Sequence, residues 1–282
     1  MIKEKTFETD ELSINYAESP DNGPPLVLLH GTANRWQSFL PIIPALIDRW
    51  HIYAPDFRGH GKSGRTIRYG FENYTKDVVN LLEVAINSPA ILFGHSLGGR
   101  VALKLADTKS PLVKAIILGD SSLSTPKRTG GMSTGFSQLL ELINENNSVH
   151  DIYKALLQKE GEEYNHTSVL SRAKNLSMVD PMVLRSILDH PDPDDPESHF
   201  NGYYPETHLR NVRCPTLIIQ AEKGMLGNQE IQKALNILPE AYHITLKGAP
   251  HEFLTRESEP VIKNISMERP YFFLSWRNVC TE

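Results

Sequence analysis

A serine hydroxyl is a poor nucleophile until it is held clear of its own backbone and given a base. One serine of this 282-residue chain has a setting that meets the first condition. Ser96 lies in Gly94-His95-Ser96-Leu97-Gly98, after the apolar run Ala90 to Phe93 (AILF) and before GRVALKLAD, whose apolar residues recur at helical spacing. A serine at such a strand-to-helix turn is held in a strained backbone conformation, and glycines on either side remove Cβ atoms that would strike the neighbouring strand and helix. The helix brings its N-terminal amides and positive dipole end to the place where an oxyanion would form. As a bare pattern G-x-S-x-G arises by chance in glycine-bearing loops; the strand before it and the helix after it make Ser96 a candidate nucleophile.

The elements that must carry this serine read as a parallel sheet. Short apolar runs recur at Leu26 to His30, His51 to Pro55, Ala90 to Phe93, Ala115 to Gly119, Thr216 to Gln220 and Tyr242 to Leu246, and buried parallel strands have this composition. Between them, Tyr74 to Ile86 and Gly98 to Asp107 place apolar residues three and four apart, as amphipathic helices do. Alternation of strand and helix predicts a doubly wound α/β sheet. Between Ser121 and His208 no strand run occurs, while GFSQLLELINEN, VHDIYKALLQ and DPMVLRSILDH carry helical periodicity. A helical insertion over 121–208 is therefore expected within a core of 1–120 and 209–282, ending in the Pro- and Asp-rich loop that holds Asp192, Asp194 and Asp195.

Several further segments match one family in the expected order. Leu28-Leu29-His30-Gly31-Thr32, Asp56-Phe57-Arg58-Gly59-His60-Gly61-Lys62-Ser63-Gly64 and Lys247-Gly248-Ala249-Pro250-His251-Glu252-Phe253, together with the Ser96 motif, resemble the α/β-hydrolase fold family. The resemblance implies a mostly parallel, eight-stranded sheet with a helical cap insertion, His251 as general base, and the amides of Thr32 and Leu97 as oxyanion-hole donors. Asp56 and Arg58 belong to a loop that the resemblance makes structural. Ten other histidines lack the position of His251 after the last strand, with Gly248 before it and an aromatic residue close behind.

The third member of the triad departs from the pattern. Where the family often reads Gly-Glu-x-Asp after the penultimate strand, this chain reads Ala221-Glu222-Lys223-Gly224. Without an orienting carboxylate the imidazole loses its tautomer and its partner charge, which in serine proteases costs about 10⁴ in turnover. Asp120, directly after the strand AIILG, is the first choice, since catalytic groups of open α/β sheets gather at the carboxyl ends of the strands. As an alternative, Asp-Ser-Ser at 120–122 caps a turn. Glu222 is the second choice, and Glu252 is expected to point away from the His251 ring.

With these roles, an acyl-enzyme and hydrolysis of a small to medium carboxylic ester are expected. Leu139, Leu140, Ile143, Ile152, Leu156, Met182 and Leu188 are candidates to line an apolar pocket or to pack on the body. Carbon–carbon bond hydrolysis, cofactor-free perhydrolysis, a lyase-type elimination and a non-catalytic ligand-binding role remain alternatives. No cofactor or metal is implied, since neither a phosphate loop, a dinucleotide fingerprint nor metal-ligand spacing occurs. A net charge of −5 spread along the chain gives no footprint for nucleic acid. The N-terminal segment MIKEKTFETDELSINYAESP has no apolar run for a signal or a span, so a cytoplasmic monomer or homodimer is expected. Cys214 and Cys280 cannot make a disulfide framework and are read as free thiols. The family's closing helix is expected near Glu259-Pro260-Val261, and the apolar segment after Pro270 has no functional reading.

Overall fold

The computed structural model describes residues 1–123, 130–146, 148–160, 165–189 and 206–256. Strands β1 (Lys3–Glu8), β2 (Ser13–Glu18), β3 (Pro25–Leu29), β4 (His51–Pro55), β5 (Ala90–His95), β6 (Val113–Gly119), β7 (Thr216–Lys223) and β8 (Ala241–Pro250) form one sheet in the order β1-β2-β4-β3-β5-β6-β7-β8. The pairs β1·β2 and β2·β4 are antiparallel, and β3 to β8 run parallel. The helices are α1 (Ile43–Leu46), α2 (Phe71–Asn80), α3 (Leu97–Thr108), α4 (Gly130–Glu145), α5 (Val149–Glu160), α6 (His166–Leu176), α7 (Pro181–Asp189), α8 (Glu206–Leu209), α9 (Asn228–Ile237) and α10 (Phe253–Arg256).

Side chains of a strand alternate between faces, so a sheet covered on both sides needs apolar residues at every position. Strand β3 does this: Leu26 and Leu28 pack with Ile43 and Leu46 of α1, while Val27 and Leu29 pack with Val78 of α2 and Val101 of α3. The six apolar runs of the sequence correspond to β3 to β8, and helices α4, α5 and α7 coincide with the three periodic segments between β6 and β7. The hairpin β1·β2 and helix α6 were not singled out by pattern. In β1 five of six residues are exposed, so it carries almost no hydrophobic signal.

From β3 the chain crosses to β4 on one side, and β5 then pairs with β3 on the other. Adjacent strands whose connections leave in opposite directions open a crevice at their carboxyl ends. His30-Gly31-Thr32 follows β3 and Ser96 follows β5, so the sheet's order alone brings them together. The acidic loop of Asp192, Asp194 and Asp195, the helix expected at Pro260, the segment after Pro270 and Cys280 lie outside the described residues; Cys214 is a free thiol. Among the described residues no helix is long and apolar enough to cross a membrane.

Candidate active site

Ser96 has φ 52° and ψ −114°, outside both the helical and strand regions, between the last residue of β5 and the first of α3. The flanking glycines make this turn possible. A Cβ on Gly94 would fall on the backbone of Gly98 and Gly99, and one on Gly98 would fall on the Leu29 carbonyl of β3. The Ser96 amide donates to the Gly119 carbonyl of β6 at 3.0 Å, which pins the turn to the next strand. Among the described non-glycine residues positive φ occurs at Ala33, Asn87, Ser96 and Asp120. Asn87 ends a helical turn, where αL is ordinary; the other three lie in the segments that build this site, where backbone strain tends to be stored.

Gly31 lies against the same turn: a Cβ on it would sit 3.2 Å from Ser96 Cβ. That approach brings the Gly31-Thr32 turn against the serine, and Thr32 and Leu97, the first residue of α3, line one cavity with Ser96. Two buried histidines hold the Thr32 segment in place. His30 Nδ1 donates to the Gly31 carbonyl at 2.8 Å and its Nε2 accepts the Phe57 amide at 2.9 Å. His60 Nδ1 donates to the Arg58 carbonyl at 3.0 Å and its Nε2 accepts the Ala33 amide at 3.2 Å. Each ring needs one bare nitrogen for this, and burial supplies it by pushing the imidazoles down to about 4 for His30 and about 3 for His60. Asp56 and Arg58 are tied into the same framework. Asp56 accepts the Trp36 amide at 2.8 Å and the Lys62 amide at 3.0 Å, and Arg58 makes two 2.7 Å bonds to Asp77.

His251 Nδ1 donates to Asp120 Oδ2 at 2.6 Å. A carboxylate can only accept, so Nδ1 carries the proton and Nε2 is left as the acceptor. Asp120, wholly buried, also takes the Met225 amide on Oδ2 at 2.8 Å and the Ala221 and Leu226 amides on Oδ1 at 3.2 and 3.3 Å. Burial opposes its charge, but the bond to His251 and these amides hold its carboxyl below the usual range. Burial likewise pulls His251 down, yet the Asp120 bond and the charges of Glu252 and Asp120 leave it above the ordinary imidazole value.

Gly224 explains why the expected acid is missing from β7: a Cβ there would fall on the Asp120 carboxylate. The two positions exclude each other, and Asp120 occupies the shared space. Glu222 is exposed and accepts the Gly248 amide at 2.7 Å, which shapes the turn before His251 without meeting the ring.

A cavity of about 160 Å³ brings together Thr32, Ser96, Leu97, His251, Glu252 and Arg100, with Phe136 and Leu139 of α4 on its far wall. Of the seven apolar candidates only Leu139 lines it. Ile152 and Leu156 are buried in the core, and Met182 is 42 % exposed. Glu252 lines the same cavity as His251, and its charge favours the protonated form of both the His251 and the His95 rings, although burial holds His95 below the ordinary imidazole value. Adjacency to His251 was the only sequence signal for Glu252. His95 Nε2 donates to the His251 carbonyl at 2.8 Å, so the residue before the nucleophile fixes the histidine loop. Among the described residues no three His, Cys, Asp or Glu side chains cluster as a metal-binding set.

A sheet of this order, with a serine at the β5–α3 turn and a histidine after β8, defines the α/β-hydrolase class. The chain belongs to that family: the model described as alpha/beta hydrolase fold matches residues 24–256. It is 27% identical over 259 residues to the pimeloyl-[acyl-carrier protein] methyl ester esterase of Nitrosospira multiformis, covering 85% of this chain and 95% of that protein. Against the magnesium-chelatase 30 kDa subunit of Rhodobacter capsulatus it is 41% identical over 100 residues, but the match spans 34% of this chain and only 35% of that relative. The solved carboxylesterase CesB (YbfK) of Bacillus subtilis superposes with a TM-score of 0.75 at 17% identity, over 94% of this chain and 90% of that one, a likeness of fold.

Proposed function

We propose that the protein is a serine hydrolase that cleaves carboxylic esters of small to medium acyl chain. The observation that carries the reading is the 2.6 Å bond from His251 Nδ1 to Asp120, which leaves Nε2 as a base in the cavity that Ser96 shares. In the first half-reaction Ser96 Oγ attacks the ester carbonyl carbon as His251 Nε2 takes the hydroxyl proton. The carbonyl oxygen becomes an oxyanion held by the Thr32 and Leu97 amides. Collapse breaks the bond to the alcohol oxygen, which leaves with the proton from His251 and an acyl group on Ser96. Water then repeats the sequence, giving its proton to Nε2 and releasing the acid and the free serine. Asp120 holds the ring and stabilises the imidazolium without taking the proton.

The helices between β6 and β7 act in this reading as a cap over the carboxyl ends of the strands, with Phe136 and Leu139 setting the acyl pocket. A void of about 150 Å³ holds a benzene-sized group, and the 160 Å³ cavity favours short and medium chains over long ones. The methyl-ester activity named for the Nitrosospira relative agrees with this chemistry. A panel of p-nitrophenyl esters of increasing chain length tests it. Turnover that peaks at short to medium chains and disappears in Ser96→Ala supports the reading; inert esters beside a cleaved vinylogous diketone replace it with carbon–carbon bond hydrolysis.

A further inference from the structure

Asn34 stands two residues beyond Thr32, and its backbone amide closes the turn on the Gly31 carbonyl at 3.2 Å. Its side chain joins three separate parts of the chain. Oδ1 accepts Asn175 Nδ2 of α6 at 3.0 Å and Ser38 Oγ at 3.1 Å, and Nδ2 donates to Glu252 Oε2 at 3.4 Å. Asn175, only 2 % exposed, in turn accepts Arg35 Nε at 2.8 Å on its Oδ1. One carboxamide thus ties the turn that presents the Thr32 amide to the neighbour of His251 and to a helix of the insertion. The side chain accepts from Asn175 and donates to a carboxylate at once, which neither a carboxylate nor an apolar side chain can do.

We propose that Asn34 is a positioning residue that couples the seating of α6 to the geometry of the Thr32 amide and the His251 loop, so the active arrangement is complete only with α6 docked. This rests on the serine-hydrolase reading. A donor aimed at an oxyanion acts only within a few tenths of an ångström of its place, and a displacement near 1 Å costs about 10²-fold in rate. The link acts on a step in which charge develops, so its loss falls on kcat and leaves KM unchanged.

The test uses the full chain carrying Asn34→Ala, Asn175→Ala and both together, with Asn34→Asp as an isosteric variant that keeps the acceptor for Asn175 and loses the donor to Glu252. For each folded variant, kcat and KM on a p-nitrophenyl ester and the rate of fluorophosphonate labelling are measured. Each single substitution is expected to lower kcat and the labelling rate by roughly 10- to 100-fold with KM unchanged. The double variant should fall little further, since residues that share one interaction are non-additive. A lower Tm with unchanged kcat and labelling rate would mean a merely structural link and overturns the inference; so do additive losses in the double variant. Failure of the wild-type chain to label overturns the serine reading itself, and the inference with it.

Discussion

Replacing Asp120 by Asn changes one oxygen to NH₂ and probes the whole arrangement around His251. The carboxylate accepts four N–H groups: His251 and Met225 on Oδ2, Ala221 and Leu226 on Oδ1. An amide has one acceptor oxygen. If it serves Ala221 and Leu226, the NH₂ faces two donors; if it serves His251 and Met225, the other two lose their partner. In the first case the Met225 amide goes unmet and His251 turns to the wrong tautomer to accept from the NH₂, and in the second the Ala221 and Leu226 amides go unmet, each unmet buried donor costing about 1–3 kcal/mol. The expected outcome is a kcat lower by about 10⁴ together with unfolding at lower urea. Glu222→Gln should keep most turnover, because Glu222 is exposed and its carboxylate accepts the Gly248 amide. The assay is steady-state hydrolysis of a p-nitrophenyl ester with urea unfolding of the same preparations. A larger loss of turnover in Glu222→Gln than in Asp120→Asn would refute the reasoning.

Three further outcomes follow from the same geometry. His251 must be neutral to act as base and its value is raised above 6.5, so kcat/KM should fall on the acid side with a limb above pH 6.5. Glu252→Gln, which removes one raising charge, should move that limb down; an unmoved limb would sever Glu252 from the base. Gly224→Ala should abolish most activity by displacing the Asp120 carboxylate, whereas Gly227→Ala, with nothing within 4 Å of its Cβ, should be near neutral; equal effects would contradict the steric account. His30 and His60 have folded values of about 4 and about 3 against 6.5, so their contribution is present above pH 6.5 and lost as pH falls below it. Unfolding free energy should drop by about 2–4 kcal/mol from pH 7 to pH 5, net of the opposite contribution of His251; a rise would place charged histidines in the fold.

Much of this site was legible because local chain geometry writes it. Gly94 and Gly98 must lack side chains for Ser96 to sit where it does, and apolar runs mark β3 to β8 because both faces of the sheet are covered. The order of β3, β4 and β5 then fixes where the His30-Gly31 turn meets the serine. Contacts made across long separations left weaker marks. The sequence marks Asp120 as the substitute for the acid missing at Gly224, but not that the two positions, 104 residues apart, share one space. His60 reads as one residue of a glycine-rich loop, although it holds the Ala33 amide. Asn34 carries no motif and Glu252 is marked only by standing beside His251, and only the fold brings the two within reach of each other.

The central claim is that Ser96 is the nucleophile activated through His251. Fluorophosphonate labelling of the wild-type chain, read by intact mass and peptide mapping, tests it most directly. One adduct per chain, on Ser96 and absent from Ser96→Ala, is the predicted result; no adduct, or one on another residue that persists in Ser96→Ala, would contradict it.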